Sequence, residues 1–83
     1  MIVRGRVQGV FFRAEAAERS RSLGLSGWIR NNRDGTVEAL FEGPRERVES
    51  MILWCAKGPS GAVIEAVETE WEEPQGANGF AVR

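Results

Sequence analysis

The stretch Gly5-Arg6-Val7-Gln8-Gly9-Val10-Phe11-Phe12-Arg13 holds the residue types best placed to do chemistry. It reads as a strand that passes through a short glycine-containing loop into a helix. Unpaired backbone N–H groups at a helix start, with the positive end of the macrodipole behind them, make a ready anion site. Gly9 permits a tight turn in which successive amides converge. Arg13 falls in the first helical turn, where a cation opposes the dipole at a cost of roughly a few tenths of a kcal/mol. An anion held in the loop reverses that sign and gives the guanidinium a bidentate partner. The competing reading is an arginine that faces solvent and tolerates the weak penalty, and spacing alone leaves both open.

Asn31 is the second candidate. It shares strand parity with Ile29, which aims it toward the helix-covered face at the end of its strand. In a β-α-β unit the first two strands run parallel, so the Gln8–Arg13 loop and Asn31 are expected at one end of the sheet. A carboxamide offers both an acceptor and donors, and it fixes a water molecule without titrating. Against this, Asn31 sits beside Asn32 and Asp34 and could simply help shape a hairpin. For Asn31 the two readings tie; for Asn32 the hairpin reading is preferred.

Composition narrows the chemistry further. The chain of 83 residues has no histidine and one cysteine, Cys55. That removes the usual general base, the Ser-His and Cys-His nucleophile pairs, an internal disulfide and any cysteine-based zinc site. No acidic cluster with metal-ligand spacing lies near the loop, so neither a metal nor a cofactor is expected. The apolar share of 42% and charged share of 28% are ordinary for a globular chain. The longest apolar run, Met51–Ala56, is six residues, against roughly 20 for a membrane span. No signal-peptide core is read at the N-terminus, where Arg4 and Arg6 interrupt the first strand. Net charge is −1, but residues through Arg33 carry seven arginines against two glutamates, and the remainder is acidic. A basic half suits an anionic ligand; a solvated mixed-charge surface accounts for it equally well.

Periodicity supplies the elements that must place these groups. Ile2–Gln8 reads as a strand with Val3, Gly5 and Val7 on one face. Phe12–Leu23 reads as a helix through Phe12, Ala16, Ser20 and Leu23, with Gly24 at its C-terminal cap. Leu25–Asn31 and Thr36–Glu42 alternate on either side of Arg33-Asp34-Gly35, a hairpin signal. Gly43-Pro44 opens a second helix with proline at its first position, and Val48, Met51, Ile52 and Cys55 form its buried stripe. Gly58-Pro59 stops it. Ala62–Trp71 is a fourth strand, Glu72–Gly79 a loop and Phe80–Val82 a short edge strand. The order βαββαβ plus that edge strand predicts an α+β ferredoxin-like α/β sandwich, two helices on one face of an antiparallel sheet, as a single domain over 1–83. Cys55 reads as core packing, and Trp28, Trp54 and Trp71 as covers of sheet and helix edges. Glu68–Glu73 reads as a solvated edge. The fold alone decides no function.

The loop and strand motifs together resemble acylphosphatase. The resemblance rests on Gly5 through Arg13, on Gly27-Trp28-Ile29-Arg30-Asn31 and on Asp34-Gly35-Thr36-Val37. It continues through Glu42-Gly43-Pro44, Gly58-Pro59 and Phe80-Ala81-Val82-Arg83, so it spans essentially the whole chain. It implies hydrolysis of acyl phosphates to a carboxylate and inorganic phosphate. By that resemblance Gln8, Gly9, Val10, Phe11, Phe12 and Arg13 bind the phosphoryl group, and Asn31 orients the attacking water. Local chemistry is compatible: a carboxylate leaving group needs little acid help, and a phosphate oxygen can itself accept the water's proton. The implied partners are a small-molecule acyl phosphate and inorganic phosphate, handled by a cytoplasmic monomer without nucleic acid or membrane. The RNA-recognition signature of this fold is missing from its strands. The alternative is a non-catalytic phosphate- or carbamoyl-phosphate-binding module.

Overall fold

Alternating burial builds the sheet. The structure, a computed structural model, describes residues 1–8, 11–59 and 61–83. In β1 (Ile2–Arg6) Val3 is fully buried, and the same parity reaches Val7 just past the strand's end. In β2 (Ser26–Asn31) Gly27 and Ile29 face inward, and in β3 (Val37–Glu42) Val37 and Ala39 do. The helices α1 (Phe12–Ser22) and α2 (Arg45–Lys57) bury Phe12, Ala16, Ala17 and Ser20, and Val48, Met51 and Cys55. These stripes meet the inward sheet residues in one core. Phe12 anchors it, fully buried with its ring 5.5 Å from that of Trp54; burying such a side chain contributes about 1.5–3 kcal/mol.

The five strands lie in the order β4-β1-β3-β2-β5, where β4 is Val63–Glu68 and β5 is Phe80–Val82. This is the expected ferredoxin-like arrangement of two helices on a sheet. β3 pairs antiparallel with both β1 and β2. The two outer partners therefore run in the same direction, and their C-terminal ends emerge together. That single topological fact brings the β1–α1 loop to the end of β2.

Several details depart from the sequence reading. The sheet is mixed, because β5 pairs parallel with β2 through Gly27↔Phe80 and Trp28↔Ala81. After β4 the chain crosses to the opposite edge, and its return direction there matches β2. Glu42 secures this crossing: its carboxylate accepts the amides of Gln75 and Gly76 at 3.0 Å and of Ala77 at 3.3 Å. β4 is shorter than Ala62–Trp71 because its ladder with β1 closes at Ile2↔Glu68 and Arg6↔Val63. β1 stops at Arg6 for the same reason. Pro44 is the N-cap of α2 instead of its first residue, with ψ 133° and a carbonyl that accepts from Arg47 and Val48.

Two glycines are demanded by close approach. At Gly27 φ is 135°, and an added Cβ would lie 1.9 Å from the Leu40 carbonyl oxygen of β3. At Gly5 φ is 134°, and a Cβ would lie 2.0 Å from the Val63 carbonyl oxygen, at the register shift between β1 and β4. Any side chain at either place would push neighbouring strands apart.

Candidate active site

The start of α1 is built to present backbone donors. Its N-cap, Phe11, is left-handed with φ 60° and ψ 19° and makes no side-chain capping bond. Phe11 is the one non-glycine residue at positive φ among the described residues. That conformation costs an L-residue roughly 1–2 kcal/mol and recurs where a loop must wrap a ligand. Its ring is also 78% exposed, so burial does not offset the strain. The first in-helix donor is the Glu15 amide, 3.0 Å from the Phe11 carbonyl. The amides of Phe12, Arg13 and Ala14 precede it and point off the helix end.

Arg13 is half-buried, and its Nη1 donates to the Arg83 carbonyl at 3.1 Å. This bond holds the guanidinium against the end of β5, and among the described residues it leaves most of the donor fork for a ligand. Arg13 and Asn31 line one cleft of about 320 Å³, with Phe11 and Val82 at its sides and Val7 and Phe12 beneath. Among the described residues no carboxylate lines it, so the helix dipole and the guanidinium favour a positive potential there. Asn31 ends β2, exposed and paired through its backbone with Val37. Among the described residues no hydrogen bond engages its carboxamide.

The β2–β3 turn is a closed network. Asp34 Oδ1 accepts from the Thr36 hydroxyl at 2.6 Å and from the Thr36 amide at 3.0 Å. These bonds hold its carboxyl below the usual carboxylate range. Asn32 Nδ2 donates to the Thr36 hydroxyl at 3.0 Å, which makes Asn32 the hairpin residue expected of it. Gln8 joins this network from outside: its Nε2 donates to the carbonyls of Asn32 at 2.9 Å and Thr36 at 3.1 Å. Its side chain thus faces the hairpin. Gly9 and Val10, the two other loop positions singled out in the sequence, lie outside the described residues.

Remaining candidates are structural. Cys55 is fully buried, and burial pushes its thiol up to about 12, which leaves it protonated and inert. The guanidinium groups of Arg30 and Arg83 approach the Trp28 ring at 5.0 and 4.8 Å, and Arg45 covers Trp71 at 4.5 Å. Among the described residues no group of three or more His, Cys, Asp or Glu side chains could hold a metal ion, and no helix is long and apolar enough to cross a membrane. Sequence reasoning overlooked Val82 as a wall of the cleft and Arg83 as the acceptor for Arg13. Their approach depends on the parallel β2–β5 pairing, which leaves no local signal in the chain.

A model of the acylphosphatase family matches residues 1–82. An acylphosphatase of Roseiflexus sp. (strain RS-1) is 52% identical over 83 residues, covering 99% of this chain and 89% of the relative. The crystal structure of acylphosphatase from Bacillus subtilis superposes with a TM-score of 0.92 at 34% identity, covering 99% of this chain and 92% of that one. Full-length HypF, crystallised in a phosphate- and nucleotide-bound form, matches with a TM-score of 0.88 at 27% identity, over 99% of this chain but 11% of that one.

Proposed function

The chain belongs to the acylphosphatase family, and from that premise we propose that the cleft at the start of α1 is where it hydrolyses acyl phosphates. The reaction splits the carboxyl–phosphate bond to give a carboxylate and inorganic phosphate. The loop from Gln8 to Arg13, Gly9 and Val10 included, wraps the phosphoryl group. The Arg13 guanidinium and the amides of Phe12 and Arg13 take its equatorial oxygens. Asn31 accepts a hydrogen bond from the attacking water and holds it in line with the departing carboxylate. The water's proton passes to a phosphoryl oxygen, and the leaving group departs as a weakly basic anion. The observation that carries this reading is the convergence of Arg13 and Asn31 on one cleft, from elements distant in sequence.

Such a site would run without a metal, a reading supported by the lack of histidine in the chain and of carboxylates among the described residues that line the cleft. We assign the chain as one domain over 1–83 that acts as a cytoplasmic monomer on a small acyl phosphate, without nucleic acid. The buried, unpaired Cys55, which needs no oxidising compartment, supports that placement. Hydrolysis of benzoyl phosphate, with competitive inhibition by inorganic phosphate and full activity in excess chelator, tests the assignment. A folded protein that binds phosphate without turnover would instead be a phosphate- or carbamoyl-phosphate-binding module.

A further inference from the structure

We infer that Gln8 is a positioning residue for this reaction, a brace that sets the separation of Arg13 and Asn31. The inference rests on the reading of the cleft given above. The β1–β3 ladder ends at Val3↔Val37, and beyond it the chain heads for the loop while the hairpin turns back at Asp34. Gln8 renews the connection with its side chain. Its two N–H groups meet two carbonyls, those of Asn32 at 2.9 Å and Thr36 at 3.1 Å. The same two carbonyls close the hairpin itself, accepting from the Gly35 amide at 3.2 Å and the Asn32 amide at 2.8 Å. With both donors committed, Gln8 has only its carbonyl oxygen left, which phosphoryl oxygens repel. A direct hold on phosphate by this side chain is therefore unfavourable, and mechanical coupling is what its bonds provide.

The coupling acts on the right pair. Asn31 directly precedes Asn32, whose carbonyl Gln8 holds. Arg13 is fixed independently, by α1 and by the Arg83 carbonyl. Releasing the brace loosens the hairpin that follows Asn31, and with it the placement of Asn31 relative to Arg13, while the ladder at Val37 and the anion site keep their own supports. Gln8→Met keeps the length and removes both donors. It is expected to lower kcat on benzoyl phosphate by about 10- to 100-fold, the range set by misplacing a reacting group by up to an ångström. The inhibition constant for inorganic phosphate should change by less than about 3-fold, and the amides of Asn32 and Gly35 should exchange with deuterium about 10-fold faster. Gln8→Glu, which faces two carbonyls with a carboxylate, should be slower still than Gln8→Met. Wild-type kcat in Gln8→Met, or equal losses in kcat and phosphate affinity, would overturn the brace. If the wild-type chain shows no turnover at all, the assigned reaction fails, and the exchange measurement alone decides: unchanged exchange at Asn32 and Gly35 removes the brace.

Discussion

Removing the Asn31 carboxamide separates chemistry from folding unusually cleanly. Asn31 is exposed at the end of β2, and its contribution to the sheet is its backbone pairing with Val37, which alanine retains. No described hydrogen bond uses its side chain, so Asn31→Ala should alter stability by about 0.5 kcal/mol or less. In the proposed reaction, by contrast, the carboxamide would hold water in line against a preorganised cationic site. Loss of one such transition-state contact costs roughly 2.7–4 kcal/mol, or about 10²- to 10³-fold in kcat. The proposed phosphate grip is on α1 and not on β2, so KM and the inhibition constant for phosphate should stay within about 3-fold. Steady-state hydrolysis of benzoyl phosphate, followed by absorbance alongside phosphate titrations and a thermal melt, reads all three quantities. Near-wild-type kcat in a folded Asn31→Ala protein would refute the assignment of water positioning. A parallel loss of phosphate affinity would show instead that Asn31 belongs to the anion cradle.

The other expectations address the anion grip, the sheet and the turn. Arg13→Lys keeps the charge but loses the fork that bonds Arg83 and, in the proposed reaction, a phosphoryl group, so phosphate inhibition and substrate binding should weaken together by about 10-fold or more; inhibition kinetics in which phosphate binds as tightly as to wild type would count against the bidentate role. Gly27→Ala places a Cβ 1.9 Å from a backbone oxygen at φ 135°, and urea unfolding should show a loss of roughly 3 kcal/mol or more. Asp34 is held below its ordinary value by the Thr36 hydroxyl and then the Thr36 amide, so its ionised form favours the fold. That contribution is complete above the unfolded carboxylate range and fades as pH falls through the lowered folded value. Melting temperature measured across acidic pH should fall less steeply in Asp34→Asn than in wild type; parallel curves would deny the turn this titration.

Much of the architecture was legible because short-range periodicity encodes it. Val3 and Val7, Gly27 and Ile29, and Val37 and Ala39 alternate as inward residues should, and Val48, Met51 and Cys55 recur as a helical stripe. Asp34-Gly35 marked its turn by local chemistry. What escaped were boundaries and partners set across the fold. β4 ends at Glu68, where its ladder with β1 closes at Ile2, and Pro44 caps α2 one position early, neither of which a local pattern contains.

The site divides along the same line. Arg13 at a helix start and a neutral carboxamide ending a strand are facts of order and type, so the chain itself offers a candidate anion loop and a residue able to hold water, with a structural reading of each left open. Their meeting is a tertiary event: β3 lies between β1 and β2 and forces the ends of both to one side of the sheet. The wall at Val82, the Arg83 carbonyl that anchors Arg13 and the hairpin carbonyls that occupy Gln8 come from residues far along the chain. Side-chain type is written residue by residue, whereas the distance between two side chains depends on every strand packed between them.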